Sequence, residues 1–210
     1  MMKWSLIFGL AGGALASTAL AADGPLLFYS KSFPGSVPPY VEITLAKNGD
    51  VAYREAPNED NPVKFQLKDA ETEEVFGLVE KAGSLKHDLE ASAKVAFMGT
   101  KTFRYENGPE KNEVKFNYTQ DASAQALQDW FERMAESAQR LIDLERAAKY
   151  DKLGVVKALL LLETSLEHKR LLGQEQFLPM LDRIAKNESY MHTAQARAAE
   201  IASAIRNPKP

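Results

Sequence analysis

The chain has 210 residues, of which 45% are hydrophobic and 26% are charged, with 26 basic against 29 acidic side chains. This composition excludes a collagen-like chain, a polytopic membrane protein and a wholly disordered protein. The sequence contains no cysteine, which excludes disulfides, thiolate metal sites and a cysteine nucleophile. The slight acidic excess provides no basic face for phosphate groups, so we do not expect nucleic acid as a partner.

The first 21 residues have the order of a secretory signal peptide. Lys3 provides a basic start, a mostly apolar and uncharged stretch follows from Trp4 to Leu15, and Ala19-Leu20-Ala21 is a small-x-small cleavage site. Glycines interrupt the stretch, and a permanent span normally needs about 20 strongly apolar residues. We therefore predict cleavage after Ala21, export to the periplasm or the medium, and no stable membrane span afterwards. A retained anchor is the alternative.

The rest of the chain divides into two halves of different composition. Residues 22–120 are rich in aromatic residues and glycine, whereas residues 121–210 are rich in alanine, leucine, glutamate and arginine. This shift predicts an α+β fold, with a mostly antiparallel sheet and one packed helix over 22–120. An antiparallel helical array follows over 121–206, either as a separate region or packed on the sheet as one unit. Residues 207–210 are expected to form a disordered end.

Alternation of apolar and polar residues predicts the strands of the first half. The alternating runs are 26–33, 41–45, 51–53, 63–67, 94–98, 102–105 and 114–118. The second and third runs flank Asn48-Gly49, and this arrangement is the strongest short signal for a β-hairpin. The prolines of residues 33–40 lack amide donors, so this segment is expected to be an extended loop.

Helices are predicted where apolar residues recur at steps of three and four. The predicted helices are one at 69–83 capped by Asp69 and ended by Gly83, one that begins at Asp121, and three more at 155–172, 176–185 and 188–205. The run from Leu159 to Leu162 makes the third of these helices apolar on all sides. We therefore expect that helix to be buried on more than one side.

The sequence carries few signatures of catalysis or metal binding. His87, His168 and His192 stand in no metal-ligand spacing, and Glu188 with His192 on one helix face would supply half of a site at most. The sequence lacks a nucleophile elbow and a glycine-rich phosphate loop. We therefore predict no catalytic residue, no cofactor and no metal.

Five residues are candidates for contact with a partner, namely Phe33, Ser36, Tyr40, Lys101 and Arg104. The first three lie in the proline-rich loop, where a restricted backbone lowers the entropy cost of presenting side chains. The alternative is that this loop only connects two strands. Lys101 and Arg104 would either protect a sheet edge against aggregation or bind an acidic ligand, and we favour edge protection.

Together these features predict an exported, non-enzymatic binding or scaffold protein of the bacterial envelope, with another envelope protein as its partner. The first alternative is an exported inhibitor or small-ligand carrier that uses a cleft between sheet and helix. The aromatic residues that would line this cleft, or else fill the core, are Tyr53, Phe65, Phe103, Tyr105, Phe116 and Tyr118. The second alternative is a hydrolase whose polar groups converge only in the folded chain.

Overall fold

The computed structural model describes residues 24–208. The predicted signal peptide lies outside the described residues, as does half of the predicted disordered end. The described chain has the predicted α+β fold, an antiparallel sheet followed by helices. The six strands are β1 (Leu26–Ser32), β2 (Tyr40–Ala46), β3 (Asp50–Arg54), β4 (Val63–Gln66), β5 (Thr100–Asn107) and β6 (Glu110–Phe116). Their order across the sheet is β4-β3-β2-β1-β5-β6, and every neighbouring pair is antiparallel.

The described chain has five α-helices, and four of them account for most of the second half. The five are α1 (Asp69–Lys81), α2 (Ala122–Tyr150), α3 (Val155–Glu167), α4 (Leu178–Lys186) and α5 (His192–Arg206). Helices α1 and α2 cover one face of the sheet, and alternate strand residues are buried beneath them. Within residues 24–208, none of these helices has an apolar stretch long enough to cross a membrane.

The predicted hairpin joins β2 to β3 through Asn48 and Gly49. Gly49 has a φ of +88°, and its amide donates to the carbonyl of Ala46 at 2.9 Å. A side chain at this position would also meet the carbonyl oxygen of Leu67 at 2.8 Å. Glycine is therefore required here both by the backbone conformation and by the close approach of the residue that follows β4.

Helix α1 begins and ends close to its predicted bounds. Lys68, and not Asp69, is the N-cap residue, and its amide donates to the carboxylate of Glu71 at 2.9 Å. Gly83 follows the helix with a φ of +64°, as expected for a glycine that ends a helix.

The strand predicted over residues 94–98 does not form. Phe97 is 58% exposed, and the side chain of Asn117 takes the place of a strand partner. Its Oδ1 accepts from the amide of Met98 at 2.6 Å, and its Nδ2 donates to the carbonyl of Ala96 at 3.1 Å. The alternating pattern in this segment therefore belongs to an irregular stretch with exposed apolar side chains. Among the described residues, no further strand pairs with the outer edge of β6.

Helix α2 contributes to both hydrophobic clusters of the molecule. Asp121 caps it as predicted, accepting from the amide of Ala124 at 2.7 Å. Leu127 and Phe131 pack into the cluster under the sheet, whereas Leu144 packs into the cluster formed by α3, α4 and α5. This helix of 29 residues is therefore the main connection between the two halves.

Helix α3 is shorter and less buried than predicted. It ends at Glu167, and its Leu160 and Leu161 are 47% and 37% exposed, whereas Leu159 and Leu162 are buried. The expectation that this run is covered on more than one side is therefore wrong, because α2 and α5 pack against one side of the helix.

The segment after α3 packs against the sheet. Leu172 belongs to the cluster under the sheet, and Gly173 lies against the ring of Phe65 on β4. Whether residues 22–120 and 121–206 fold as separate units stays a prediction.

Candidate functional site

A cleft lies between the N-terminal half of α2 and the ends of β1 and β5. It consists of two adjoining cavities of about 350 and 330 Å³, and Lys31 and Glu132 line both. We call the first cavity the Tyr29 chamber, the second the Lys101 chamber, and the two together the α2 cleft. The lining also includes Tyr29, Ser36, Val37, Pro38, Val41, Ala135, Glu136, Arg140 and Arg170 in the first, and Met98, Lys101, Tyr118, Gln128 and Asp129 in the second.

Two lysines lie side by side in this cleft. Lys31 on β1 is the direct cross-strand partner of Lys101 on β5, and Lys101 is only 3% exposed. The Nζ of Lys101 donates to the carbonyl of Asn117 at 2.6 Å. Among residues 24–208, no carboxylate oxygen lies within 4.0 Å of either ammonium group. Burial lowers the pKa of Lys101, and the neighbouring charge of Lys31 lowers it further.

The position of Lys101 corrects one of its two sequence-based interpretations. Strand β5 lies between β1 and β6, so it is not an edge strand. Lys101 also faces the layer beneath α2 and not the solvent. Edge protection is therefore wrong for this residue, and contact with an acidic ligand remains a prediction.

Tyr29 contributes a buried hydroxyl group to the Tyr29 chamber. The side chain is 1% exposed, and its ring stacks on that of Phe131 with centroids 4.9 Å apart. Within the described chain its hydroxyl has no hydrogen-bond partner, which is rare for a buried polar atom. Burial raises the pKa of Tyr29 well above its usual value, and the charge of Glu132 adds to this effect. The hydroxyl therefore stays protonated at neutral pH, as a hydrogen-bond donor.

Most of the acidic groups in the cleft are held in ion pairs. Arg170 binds Asp129 through Nη1 at 2.6 Å and Glu136 through Nε at 3.0 Å. The hydroxyl of Ser165 also donates to Glu136 at 2.7 Å. These contacts fasten α3 and the segment after it to α2, and Glu136 and Arg170 form one wall of the Tyr29 chamber.

Glu132 differs from these acids because it has no ion pair among the described residues. It accepts a hydrogen bond from the Nε2 of Gln128 at 2.8 Å, and it lies on the boundary shared by the two chambers. Arg140 has its counter-ion outside the cleft, in Asp143 at 3.5 Å. The charges of the cleft without an ion pair are therefore those of Lys31, Lys101 and Glu132.

The structure brings two of the five predicted contact residues to the cleft. Ser36 lines the Tyr29 chamber, and Lys101 lines the other chamber. The hydroxyl of Ser36 lies within hydrogen-bond distance of the carbonyls of Phe33 and Pro38, at 2.8 and 2.7 Å. These contacts hold the proline-rich loop in place over the end of the sheet.

The other three predicted residues lie elsewhere. The ring of Phe33 meets that of Phe97 edge-on, with centroids 6.0 Å apart. Tyr40 and Arg104 lie on the sheet face opposite α2. There the Tyr40 hydroxyl donates to Glu42 at 2.8 Å, and burial together with this carboxylate raises the pKa of Tyr40 to about 12. Arg104 covers the ring of Phe28 at 4.1 Å.

Sequence reasoning missed the contribution of Lys31, Glu132 and Arg170. Lys31 follows Leu27 and Tyr29 at steps of two, so alternation places its charge on the buried face of β1. That pattern was a usable signal, because a lysine on a buried face is uncommon. Glu132 and Arg170 gave no comparable signal, since only the fold brings them to the cleft.

The histidines lie outside the cleft. His192 contacts Gln195 on α5 at 3.2 Å, and the described residues contain no group of three or more histidine or acidic side chains placed to hold a metal ion.

No protein-family model matches this chain, and no curated protein matches it significantly.

Proposed function

We propose that this chain is an exported, non-enzymatic binding protein of the bacterial envelope that holds a small ligand in the α2 cleft. The observation that carries the proposal is the Tyr29 hydroxyl, which is buried, protonated and without a partner in the described chain. A buried donor of this kind costs free energy unless a bound group accepts from it. The export part of the proposal rests on the pattern of residues 1–21.

The size and lining of the cleft support a small ligand. Small-molecule sites typically have volumes of about 300–1,000 Å³ and combine apolar walls with a few oriented polar groups. The two chambers reach this range, and Val37, Val41 and Ala135 provide apolar wall beside the polar groups.

The polar groups of the cleft favour binding over hydrolysis. The raised pKa of Tyr29 makes its hydroxyl a donor and a poor general base. The hydroxyl of Ser36 faces two carbonyl oxygens, which do not activate a nucleophile. The histidines of the described chain are absent from the lining of both chambers. The hydrolase remains an alternative prediction.

A protein partner is a second candidate, and the mouth of the cleft favours it. Val37 in the proline-rich loop is fully exposed, and Phe97 and Met98 in the neighbouring irregular segment are exposed as well. Val37 and Met98 also line the two chambers. Exposed apolar side chains from two adjacent loops are typical of a contact surface.

The proposal is tested by native mass spectrometry of the mature protein purified from its own host without denaturation. Ala135→Phe places a large side chain in the Tyr29 chamber, and Ala199→Phe makes the same change at an exposed position of α5. We expect a bound small molecule on the wild type and on Ala199→Phe, and none on Ala135→Phe. Circular dichroism confirms that both variants are folded.

Two results would contradict the proposal. One is a small molecule that Ala135→Phe still retains, because the ligand then binds elsewhere. The other is a wild-type protein that carries no small molecule but captures a protein in cross-linking, with capture lost in Phe97→Ser. That second result would favour the partner-binding candidate.

A further inference from the structure

We infer that the ligand of the α2 cleft is a small monocarboxylate that carries a second hydrogen-bond acceptor, an inference that rests on the proposed function. Lys31 and Lys101 bind the carboxylate, and the hydroxyl of Tyr29 donates to the second acceptor.

The unpaired charges of the cleft determine the sign of the ligand. Arg170 is held by two carboxylates and Arg140 by Asp143, so the groups left are two ammonium groups and the carboxylate of Glu132. Their sum is one positive charge, and the second carboxylate on Arg170 offsets it, so the cleft as a whole is close to neutral. The two ammonium groups still form a local cationic pair that one carboxylate matches, whereas a phosphate monoester brings about −1.5 to −2 charges near pH 7 into a cleft that Asp129, Glu132 and Glu136 also line.

The burial of Lys101 favours an anionic ligand as the partner of its ammonium group. An ammonium group with little exposure and no ion pair is unfavourable, because its desolvation is not offset by an opposite charge. One of its three donors is satisfied by the carbonyl of Asn117, which fixes the position of Nζ. The direct pairing with Lys31 places a second ammonium group on the same side of the sheet. Two adjacent cationic donors form a site for one carboxylate.

Tyr29 adds the requirement for a second acceptor. Tyr29 lines one chamber, Lys101 lines the other, and Lys31 lines both. A ligand whose carboxylate lies at the lysines therefore extends past Lys31 toward the Tyr29 hydroxyl. The buried ring is fixed by stacking on Phe131, so the position of the hydroxyl oxygen is fixed as well, and its hydrogen can turn toward an acceptor in the chamber. The carbon chain between the two polar ends lies against Val41 and Ala135.

The test uses three probes that differ by one group each. 4-Oxopentanoate has a carboxylate and a ketone, pentanoate lacks the ketone, and 4-oxopentanamide lacks the charge. Inorganic phosphate is the fourth probe. Each is titrated into isotope-labelled mature protein, and the amide resonances of β1, β5 and α2 are followed. We expect saturable shifts with 4-oxopentanoate, binding at least about fivefold weaker with pentanoate, and no saturation with the amide.

Variants connect the binding to named side chains. Lys31→Met and Lys101→Met should each weaken 4-oxopentanoate at least about tenfold, since each removes a charge-assisted contact. Lys64→Met, an exposed lysine on β4, is the matched control and should leave binding unchanged. Tyr29→Phe should weaken 4-oxopentanoate but not pentanoate. If Lys101→Met does not fold, the half-buried Lys31 still tests the site.

Several outcomes would overturn the inference. They are tighter lysine-dependent binding of phosphate than of the carboxylates, equal binding of the neutral amide, and the absence of lysine-dependent binding by either carboxylate. Each of these leaves the proposed function standing if Ala135→Phe still removes the host-derived ligand. A different result contradicts the proposed function itself, namely that Ala135→Phe retains the host-derived ligand.

Discussion

Lys31 and Lys101 are direct partners across β1 and β5, with both side chains on the sheet face that α2 covers. Like charges placed directly opposite each other destabilise a sheet, and burial strengthens their repulsion. A pairing that costs stability in the free protein is typical of a binding site, where a ligand supplies the missing counter-charge.

Lys31→Met should therefore stabilise the free protein. We expect the free energy of unfolding to rise by about 0.5 kcal/mol, because the variant removes one of two opposed like charges. Urea denaturation at pH 7 measures the change, and Lys64→Met should shift the midpoint much less. A clear loss of stability in Lys31→Met would show that its ammonium group has a stabilising partner.

Lys101 should make stability depend on pH in the alkaline range. Its folded-state pKa is lowered from 10.5, so the unfolded chain binds more protons between the lowered value and 10.5. The contribution of Lys101 to the free energy of unfolding is therefore fully present above pH 10.5, and it is lost as the pH falls through the folded-state pKa. We expect the wild type to gain stability relative to Lys101→Met as pH rises from 7 toward 10.5. Taking the difference between the two proteins cancels the contribution of the buried tyrosines, and a flat difference would contradict the lowered pKa.

Tyr29→Phe and Tyr53→Phe make the same chemical change at two tyrosines that are each 1% exposed. The Tyr53 hydroxyl donates to Glu55 at 3.0 Å and accepts from Gln139 at 3.1 Å, so its removal should cost about 1 kcal/mol. Removal of the unpartnered Tyr29 hydroxyl should cost nothing, or add up to about 1 kcal/mol of stability. Thermal unfolding of both ligand-free variants gives the comparison. An equal loss in both would mean that Tyr29 has a partner in the free protein.

Gly173→Ala and Gly108→Ala test the contact between the helical array and the sheet. Both glycines have positive φ angles, +54° and +59°, so alanine carries a similar backbone cost of about 1 kcal/mol at each. A methyl group at Gly173 would also lie 2.7 Å from Cδ2 of Phe65, whereas the space around Gly108 is open. We expect Gly173→Ala to cost about 1–3 kcal/mol more than Gly108→Ala. Equal losses would indicate that residue 173 does not press against β4.

The signal peptide predicted over residues 1–21 implies a defined N-terminus after cleavage. In its own host, we expect the protein to begin at Ala22, because the small-x-small site ends at Ala21. Mass spectrometry of the N-terminal peptide identifies the start, and Ala19→Arg should block cleavage, whereas Ser17→Ala should not. Recovery of wild-type protein that still carries Met1 in the membrane fraction would support the anchor alternative.

Local sequence patterns predicted most of the strands and helices, because alternation, turn residues and helix caps act between residues that are close in the chain. Alternation in residues 41–45 and 51–53, with a turn that needs a positive φ at Gly49, sufficed for the hairpin of β2 and β3. Asp121 marked the start of α2 because its carboxylate is of the length that reaches an amide three residues on. The same logic failed at 94–98, where alternation was present but a side-chain amide from Asn117 replaced the neighbouring strand.

The candidate site was less predictable because it depends on the order of strands and on distant pairs. Lys101 was interpreted as an edge residue, and only the crossover that places β5 beside β1 shows that it is interior. Arg170 and Glu136 are 34 residues apart, so no spacing rule connects them. Tyr29 looks like any other core aromatic residue until the surroundings of its hydroxyl are known.

The shared position of α2 in both hydrophobic clusters also bears on how the chain is made. Synthesis runs from the N-terminus, so all six strands and α1 emerge before Ala122. Until the following residues arrive, the inner surface around Phe103 and Phe116 is left without its main cover and is prone to self-association. The N-terminal half therefore completes its hydrophobic cluster only after α2, which follows it in the chain, has been synthesised.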